Sequence, residues 1–208
     1  MPEKLCNHHE SSRRRTLRWA AAASAAAVSL LLLSVLLIWA ILRPKKPQFT
    51  LHDATVFVLA VPAGNLISAT VQVTVGCRNP NSRIGIYYDG LTAYAAYRDQ
   101  QITYAAAIQP VYQSRKDFTV WSPFVYGDDV PVAPYTGGGL ARDRSAGAIP
   151  LVVKINGHVK WRVGAFISGR YHLHVSCPAN IPVDYSGGIA AAGVAVKYQL
   201  SQRCSVSV

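Results

Sequence analysis

The chain has 208 residues, half of which are hydrophobic, and its formal net charge is +11. This length accommodates one well-buried domain and an anchor but not two ordinary domains. Residues 1–48 carry +6 and residues 49–208 carry +5. The excess charge is therefore not concentrated on the folded part as a nucleic-acid-binding domain requires, and nucleic acid is excluded as a partner.

The first predicted element is a transmembrane helix over residues 19–42. The run WAAAASAAAVSLLLLSVLLIWAIL contains no charge, proline or glycine, and at about 1.5 Å per residue it is long enough to cross a bilayer core of about 30 Å. Trp19 and Trp39 are spaced as indoles at the two membrane interfaces would be. A cleaved signal peptide is the disfavoured alternative, because the run is longer than an h-region and its small residues lie at its start.

Basic residues are denser before this segment than after it. Five precede it and three follow it closely: Lys4, Arg13, Arg14, Arg15 and Arg18, then Arg43, Lys45 and Lys46. The positive-inside rule predicts that residues 1–18 form a basic cytosolic tail and that residues 49–208 lie outside the cell. Residues 43–48 contain two prolines, which are predicted to end the helix and to form a stiff extended spacer.

The remainder, residues 49–208, consists of short segments in which apolar and polar residues alternate, without a long amphipathic helical period. The predicted strands are 49–51, 56–61, 67–75, 84–88, 91–97, 102–108, 118–120, 149–155, 158–166, 171–177 and 193–208. Many short strands separated by turn signals predict an all-β fold, a β-sandwich.

Four segments carry turn or loop signals. Asn79-Pro80-Asn81 predicts a turn, because Pro80 fixes its φ and asparagine tolerates turn geometry. Asp89-Gly90 predicts the next reversal, and Asn156-Gly157 predicts a two-residue hairpin. Residues 135–147, YTGGGLARDRSAG, are predicted to be a long exposed loop.

Four strings follow one another in order behind the anchor: RPKKPQF, NPNSRIGIYYDG, WSPFVYG and INGHVKWRVGAFISGRYHLHVSC. Together they resemble the plant late-embryogenesis-abundant group 2 domain (LEA_2, the water-stress-and-hypersensitive-response type). The resemblance is specifically to the harpin-induced-like and non-race-specific-disease-resistance-like membrane proteins. It implies a fibronectin- or immunoglobulin-like sandwich, a plasma-membrane location and a role in pathogen defence or abiotic stress without known catalysis.

The second string is similar to a signature of that family, and its alternation indicates a mainly structural role. Ile84, Ile86 and Tyr88 fall on one strand face, and the residues between them fall on the other. A functional contact by Arg83 or Asp89 stays open. The signature residues are Asn79, Pro80, Asn81, Arg83, Ile84, Gly85, Tyr87, Tyr88 and Asp89.

Three cysteines lie beyond the predicted membrane segment, in what would be an oxidising compartment. Cys177 and Cys204 each end a predicted strand, and a disulfide between them is favoured, with Cys77 left over. That bond would contribute about 3 kcal/mol through chain entropy. The alternative is that all three are small buried thiols.

Few residues point to chemistry. His172 and His174 emerge on one face of a strand and could share a metal, but no third ligand is evident, so two half-exposed histidines are favoured. The sequence contains no nucleophile elbow, phosphate loop or zinc-type cysteine spacing, and we expect no enzymatic activity, metal or cofactor.

Three functional hypotheses remain. The leading one is a non-catalytic, membrane-anchored interaction module in plant defence or abiotic stress, with a protein partner. The second is a protein that stabilises membranes or proteins in water deficit. The third is an aromatic platform that binds cell-wall glycan, although core filling is favoured for its residues: Tyr94, Tyr97, Tyr104, Tyr112, Trp121 and Phe124. Small residues at a four-residue spacing in the anchor leave a homo-oligomer open.

Overall fold

A computed structural model describes residues 6–41, 44–60, 65–182 and 196–208. The chain divides into two compact units, which meet in the sequence between Arg43 and Pro44. The described part of the first unit is one helix, α1, over Cys6–Ile41. This helix begins inside the segment that the sequence assigns to the basic tail.

α1 contains one stretch, Leu17–Leu36, that is long and apolar enough to cross a membrane, with a mean hydropathy of 2.0. The hydroxyls of Ser24 and Ser34 each donate to a carbonyl oxygen three residues earlier in the helix. Polar groups within an apolar span are thereby satisfied internally. Trp19 is exposed on this helix, whereas Leu42 and the side chain of Trp39 lie outside the described part.

The second unit contains the strands and a second helix, α2. In chain order its elements are β1 (Gln48–Ala60), β2 (Leu66–Arg78), β3 (Gly85–Tyr97), β4 (Gln100–Gln101), β5 (Ala106–Ile108), β6 (Val111–Gln113), β7 (Phe118–Trp121), β8 (Phe124–Pro131), α2 (Pro134–Ser145), β9 (Ala148–Val163), β10 (Phe166–Ile167), β11 (Tyr171–Pro182), β12 (Val196–Arg203) and β13 (Ser205–Ser207).

The strands form two antiparallel sheets. The first has the order β12-β1-β2-β7, and β8 also pairs with β2. The second has the order β13-β11-β9-β3-β4, with β10 paired to β9, and β5 and β6 paired to β3. The predicted all-β sandwich is confirmed.

The core lies between the two sheets and follows the alternation of the strands. On β2, Ile67, Ala69, Val71, Val73 and Val75 are all buried. Aromatic rings from the two sheets meet in one cluster, where Phe49 of β1 and Trp121 of β7 both contact Tyr88 of β3, with ring centroids 6.2 and 5.5 Å apart. Such edge-to-face pairs add to the stabilisation from burial alone.

A disulfide between Cys177 and Cys204 joins the two sheets near the end of the chain. Cys177 lies on β11 of the second sheet, and Cys204 lies between β12 of the first sheet and β13 of the second. The backbone N–H of Cys204 donates to the carbonyl of Phe49 at 3.0 Å. The bond therefore fastens the chain where it crosses from one sheet to the other. Cys77 is a free cysteine, and it is buried.

Both predicted reversals at glycine are wrong. β3 runs through Asp89-Gly90 and β9 runs through Asn156-Gly157 without turning. Gly90 has a φ of 59°, and the pairing of β3 with β9 shifts register between Asp89 and Thr92, so this site is a β-bulge. Gly157 lies opposite the bulge, where a Cβ would come within 2.9 Å of the carbonyl oxygen of Gly90. The two glycines permit one close approach of two strands.

The predicted loop at residues 135–147 is also wrong, because most of it forms α2. Its three consecutive glycines disfavour a helix, but Thr136 and Leu140 are buried against the domain, and tertiary packing outweighs the low propensity. The Tyr97 hydroxyl donates to Asp143 at 2.5 Å and fixes the second half of the helix. The predicted strand over residues 102–108 is reduced to β5, and residues 193–195 of the last predicted strand lie outside the described part.

We expect Gly157→Ala to lower the free energy of unfolding by about 1–3 kcal/mol, as overpacking typically does. The added methyl group would clash with the backbone of Gly90 and with Leu91. Thermal unfolding of the full-length protein in detergent, followed by near-ultraviolet circular dichroism, measures the loss.

Gly169→Ala is the matched control, because a Cβ at Gly169 has no neighbouring atom within 4 Å. Equal melting temperatures for the two variants would contradict the assignment of Gly157 to a close strand approach.

A second prediction concerns the disulfide. Replacing both Cys177 and Cys204 by serine should lower the free energy of unfolding by about 3 kcal/mol, because the bond closes a segment with a sequence separation of 27. Non-reducing peptide mapping of the native protein should recover one linked peptide pair, with Cys77 alkylated only after unfolding. Cys6→Ser is the control variant, and recovery of Cys177 and Cys204 as free thiols would contradict the prediction.

Candidate functional site

Two buried asparagines of the signature, Asn79 and Asn81, close the turn between β2 and β3. The Asn79 side-chain amide donates to the carbonyls of Ile84 at 2.8 Å and Ser114 at 2.9 Å. Its Oδ1 accepts from the backbone N–H of Asn81 at 3.0 Å and from the Asn81 side chain at 2.9 Å. We call this pair the clasp. It joins the turn to the segment between β6 and β7.

The clasp also holds the segment that leads from α1 into the domain. We call residues 44–47 the stem. The backbone N–H of Lys45 donates to Asn81 Oδ1, and Asn81 Nδ2 donates to the carbonyl of Lys45, both at 2.8 Å. Lys116 donates its backbone N–H to the carbonyl of Asn81 at 3.1 Å, and Pro47 is buried. The predicted spacer therefore has its backbone fastened to the domain in the part that the structure describes.

Cys77, which precedes the clasp in sequence, forms a buried hydrogen-bond network with Tyr88 and Gln113. The Tyr88 hydroxyl donates to Gln113 Oε1 at 3.0 Å and lies 3.2 Å from Cys77 Sγ. Gln113 Nε2 donates to the carbonyl of Cys77 at 2.8 Å. Burial raises the pKa of the Cys77 thiol to about 12, and burial also raises the pKa of Tyr88. Cys77 is thus an unreactive structural thiol.

Arg83, just before β3, and Gly85, Tyr87 and Asp89, on the outer face of β3, line two surface pockets that share Tyr112. The strand register places Tyr87 directly across from Tyr112 of β6, and their ring centroids are 4.5 Å apart. Gly85 allows the Tyr112 ring to approach the strand closely, because a Cβ at Gly85 would come within 2.8 Å of that ring. The outward half of the signature therefore builds a surface site, which we call the groove.

One end of the groove is a pocket of about 260 Å³ lined by Arg83, Arg115 and Arg162. Arg162 is oriented by its neighbours: its Nη1 donates to the Tyr87 hydroxyl at 3.1 Å, and its guanidinium carbon lies 5.4 Å from the Tyr112 ring centroid. Arg83 and Arg115 are exposed. Within the described ranges, none of Arg83, Arg115 and Arg162 forms an ion pair with a carboxylate. All three guanidinium groups are therefore available to one anion in the pocket.

The rest of the groove is a depression of about 460 Å³ along Tyr87 and Tyr112. Asp89 forms ion pairs there with Lys160 at 3.6 Å and with Arg170 at 3.4 Å. Apolar surface comes from Pro110, Val111 and Ile167. The residues lining the whole groove include four cations and one carboxylate, which gives it a positive potential.

The structure brings a third histidine to the predicted pair. His158 of β9 lies directly across from His172 of β11, with ring centroids 4.8 Å apart, and His172 stacks on His174 at 6.3 Å. His174 Nδ1 lies 3.0 Å from the side-chain oxygen of Asn156. Throughout the described part of the chain, no group of three or more histidine, cysteine or acidic residues is arranged to hold a metal.

The aromatic residues considered as one platform are dispersed. Tyr97 is buried, and Trp121 packs against the core. Tyr104 and Phe124 are about half exposed, but Phe124 belongs to the first sheet, whereas the groove is on the second. Of the six residues, Tyr112 alone lines the groove. It pairs with Tyr87, which the sequence had placed in the signature.

Sequence reasoning missed Arg115 and Arg162 as parts of the site. Arg162 is far from the signature in sequence, and the pairing of β9 with β3 places it directly across from Gly85. Arg115 arrives through the turn after β6, which the clasp holds. Strand register would have been the signal for Arg162, which lies in the fourth of the strings that carry the family resemblance, whereas Arg115 lies outside all four strings and gave no signal.

Comparisons with known sequences found a matching family profile and several relatives. The sequence profile of the LEA_2 family, described as late embryogenesis abundant protein, matches residues 74–177. The chain is 50% identical to NDR1/HIN1-like protein 1 of Arabidopsis thaliana, over 84% of this chain and 85% of that protein. It is 48% identical to NDR1/HIN1-like protein 12 of the same plant over 84% of each chain, and 40% identical to NDR1/HIN1-like protein 26 over 70% and 69%.

The clasp predicts a proteolytic phenotype. Arg43 and Lys46 each precede a proline, so Lys45–Lys46 is the bond in this segment that trypsin cleaves readily. In the full-length protein, Asn81→Ala removes both side-chain bonds to Lys45. Because one lost buried hydrogen bond is worth about 1–3 kcal/mol, cleavage there should accelerate about tenfold or more. Mass spectrometry of timed digests in detergent measures the rate.

Asn180→Ala is the matched control, because Asn180 is exposed on β11. If both variants were cleaved at the wild-type rate, the clasp would not hold the stem.

Proposed function

The chain belongs to the LEA_2 family, among its NDR1/HIN1-like proteins, and from this premise we propose that it is a membrane-anchored, non-catalytic interaction module of the plasma membrane. Its family relates it to stress and defence. The observation that carries the proposal is the groove, which is a positively charged surface site with aromatic rings. Several of its residues belong to the same signature whose Asn81 fastens the stem to the domain.

Anchoring is supported by the apolar stretch Leu17–Leu36 of α1. Its orientation follows from the five basic residues that precede the predicted span, against three that closely follow it. The disulfide between Cys177 and Cys204 agrees with an oxidising compartment for the β-domain. In this arrangement the tail is cytosolic, the groove faces the extracellular space, and Trp19 and Trp39 mark the two membrane interfaces.

Interaction is favoured over catalysis by the chemistry of the groove. Guanidinium groups, phenol rings and aliphatic side chains dominate it, and its one carboxylate, Asp89, is already engaged by Lys160 and Arg170. Such groups recognise an anion and an apolar surface together. The ordered sandwich also favours specific recognition over protection by a disordered chain in water deficit.

The orientation can be tested by N-glycosylation, since the chain contains no Asn-x-Ser/Thr sequence. Phe166→Asn creates the acceptor sequence Asn-Ile-Ser at a side chain that is 83% exposed. Expressed in plant cells, this variant should acquire a glycan that endoglycosidase removes, seen as a mobility shift on a gel.

His9→Ser is the reciprocal control, because it creates Asn-His-Ser in the tail. This variant should remain unmodified. Glycosylation of the tail instead of the β-domain would show that the orientation is the reverse of the one proposed.

A further inference from the structure

We propose that the groove binds the carboxylated sugars of an acidic polysaccharide. The inference deepens the proposed interaction module and rests on its extracellular orientation, because it names the ligand class that the groove would meet there. Three features of the groove carry it: the arginine pocket, the paired tyrosines and the charged end at Asp89.

The arginine pocket selects a small oxyanion. Arg83, Arg115 and Arg162 come from three different segments and line one pocket of about 260 Å³. Guanidinium groups match the planar carboxylate through two parallel hydrogen bonds. Arg162 is held in place by Tyr87 and by the carbonyl of Gly164, at 3.1 Å each. A prepositioned arginine loses less side-chain entropy on binding, so the pocket is ready for a carboxylate.

Tyr87 and Tyr112 determine which molecule can be attached to that carboxylate. Tyr112 lines both the arginine pocket and the adjoining depression. A ligand whose carboxylate enters the pocket therefore places its next atoms over the rings of Tyr87 and Tyr112. The C–H face of a pyranose ring is a suitable partner for such rings, which offer a large, rigid and amphipathic contact area. A sugar acid presents both features on one residue.

The far end of the groove fits a neighbouring sugar of the same chain. Asp89 and Arg170 are partly exposed there, and Lys160 lies on the same surface. A carboxylate oxygen accepts hydrogen bonds from sugar hydroxyls, while Lys160 can pair with a second carboxylate. A free phosphate would occupy the arginine pocket alone. A compact anion would leave the adjoining depression of about 460 Å³ along Tyr87 and Tyr112 empty, so the two pockets together favour an oligomeric sugar acid.

The test uses the full-length protein in detergent micelles and isothermal titration calorimetry. The probe is an oligogalacturonate. The comparison ligands are a neutral galactose oligomer of equal length, inorganic phosphate and phosphatidylcholine vesicles with or without phosphatidylglycerol. We expect measurable binding of the oligogalacturonate that weakens as ionic strength rises, no binding of the neutral oligomer, and much weaker binding of phosphate.

Variants locate the site. Arg83→Gln and Arg115→Gln change exposed side chains and should each weaken oligogalacturonate binding about tenfold or more, the value of a lost charge-assisted hydrogen bond. Tyr112→Ala should weaken it comparably, whereas Tyr112→Phe, which keeps the ring, should retain most of the affinity. Arg144→Gln on α2 is the matched control for loss of one positive charge and should bind as the wild type does.

Several results would overturn the proposal: no binding of the oligogalacturonate, equal binding of the neutral oligomer, or equal weakening by Arg144→Gln and Arg83→Gln. Binding of phosphatidylglycerol vesicles without binding of the sugar acid would assign the groove to a lipid surface instead. The glycosylation test is independent of these outcomes. A cytosolic β-domain that still bound oligogalacturonate would refute the proposed orientation and leave the chemistry of the groove intact.

Discussion

The side-chain hydrogen bonds of Asn79 and Asn81 are the constraint on which this end of the domain depends. Between them, the two side chains join the turn after β2, the turn after β6 and the stem. Both are buried, and a buried amide without a partner costs about 1–3 kcal/mol. The three segments must therefore assemble together. The arginine pocket follows from this assembly, because Arg83 and Arg115 lie in the two turns that the clasp joins.

The strand that follows the clasp serves two surfaces at once. Its inward residues, among them Ile86 and Tyr88, complete the core and the buried network with Cys77. Its outward residues, among them Gly85 and Tyr87, shape the groove and leave room for Tyr112. Because successive side chains on a strand point to opposite faces, neither set can change register without displacing the other. The stability of the core and the shape of the groove are thus coupled.

Glycine is the residue whose role the sequence indicated least well. Asp89-Gly90 and Asn156-Gly157 both have the composition of tight turns, yet they face each other within a continuous pair of strands. The glycines around residue 138 suggested a loop, yet Leu140 is buried and Tyr97 bonds to Asp143, so the segment forms a helix. In each case the absence of a Cβ permits either a turn or a close contact, and local sequence cannot distinguish the two.

The sequence by itself determined the apolar span, the all-β class, the family and the inward and outward faces of the signature strand. The span, the fold class and the two strand faces depend on composition and on short-range periodicity, which any single segment displays. The family depends instead on four strings that follow one another in order behind the anchor. The tertiary structure decided that the stem is fastened by Asn81, that β3 and β9 continue through their glycines, and that Arg162 and Arg115 join Arg83 beside Tyr112. Those relations join residues up to 79 positions apart in the chain. They depend on strand register and on the burial of hydrogen-bonding groups, which arise only when the two sheets pack together.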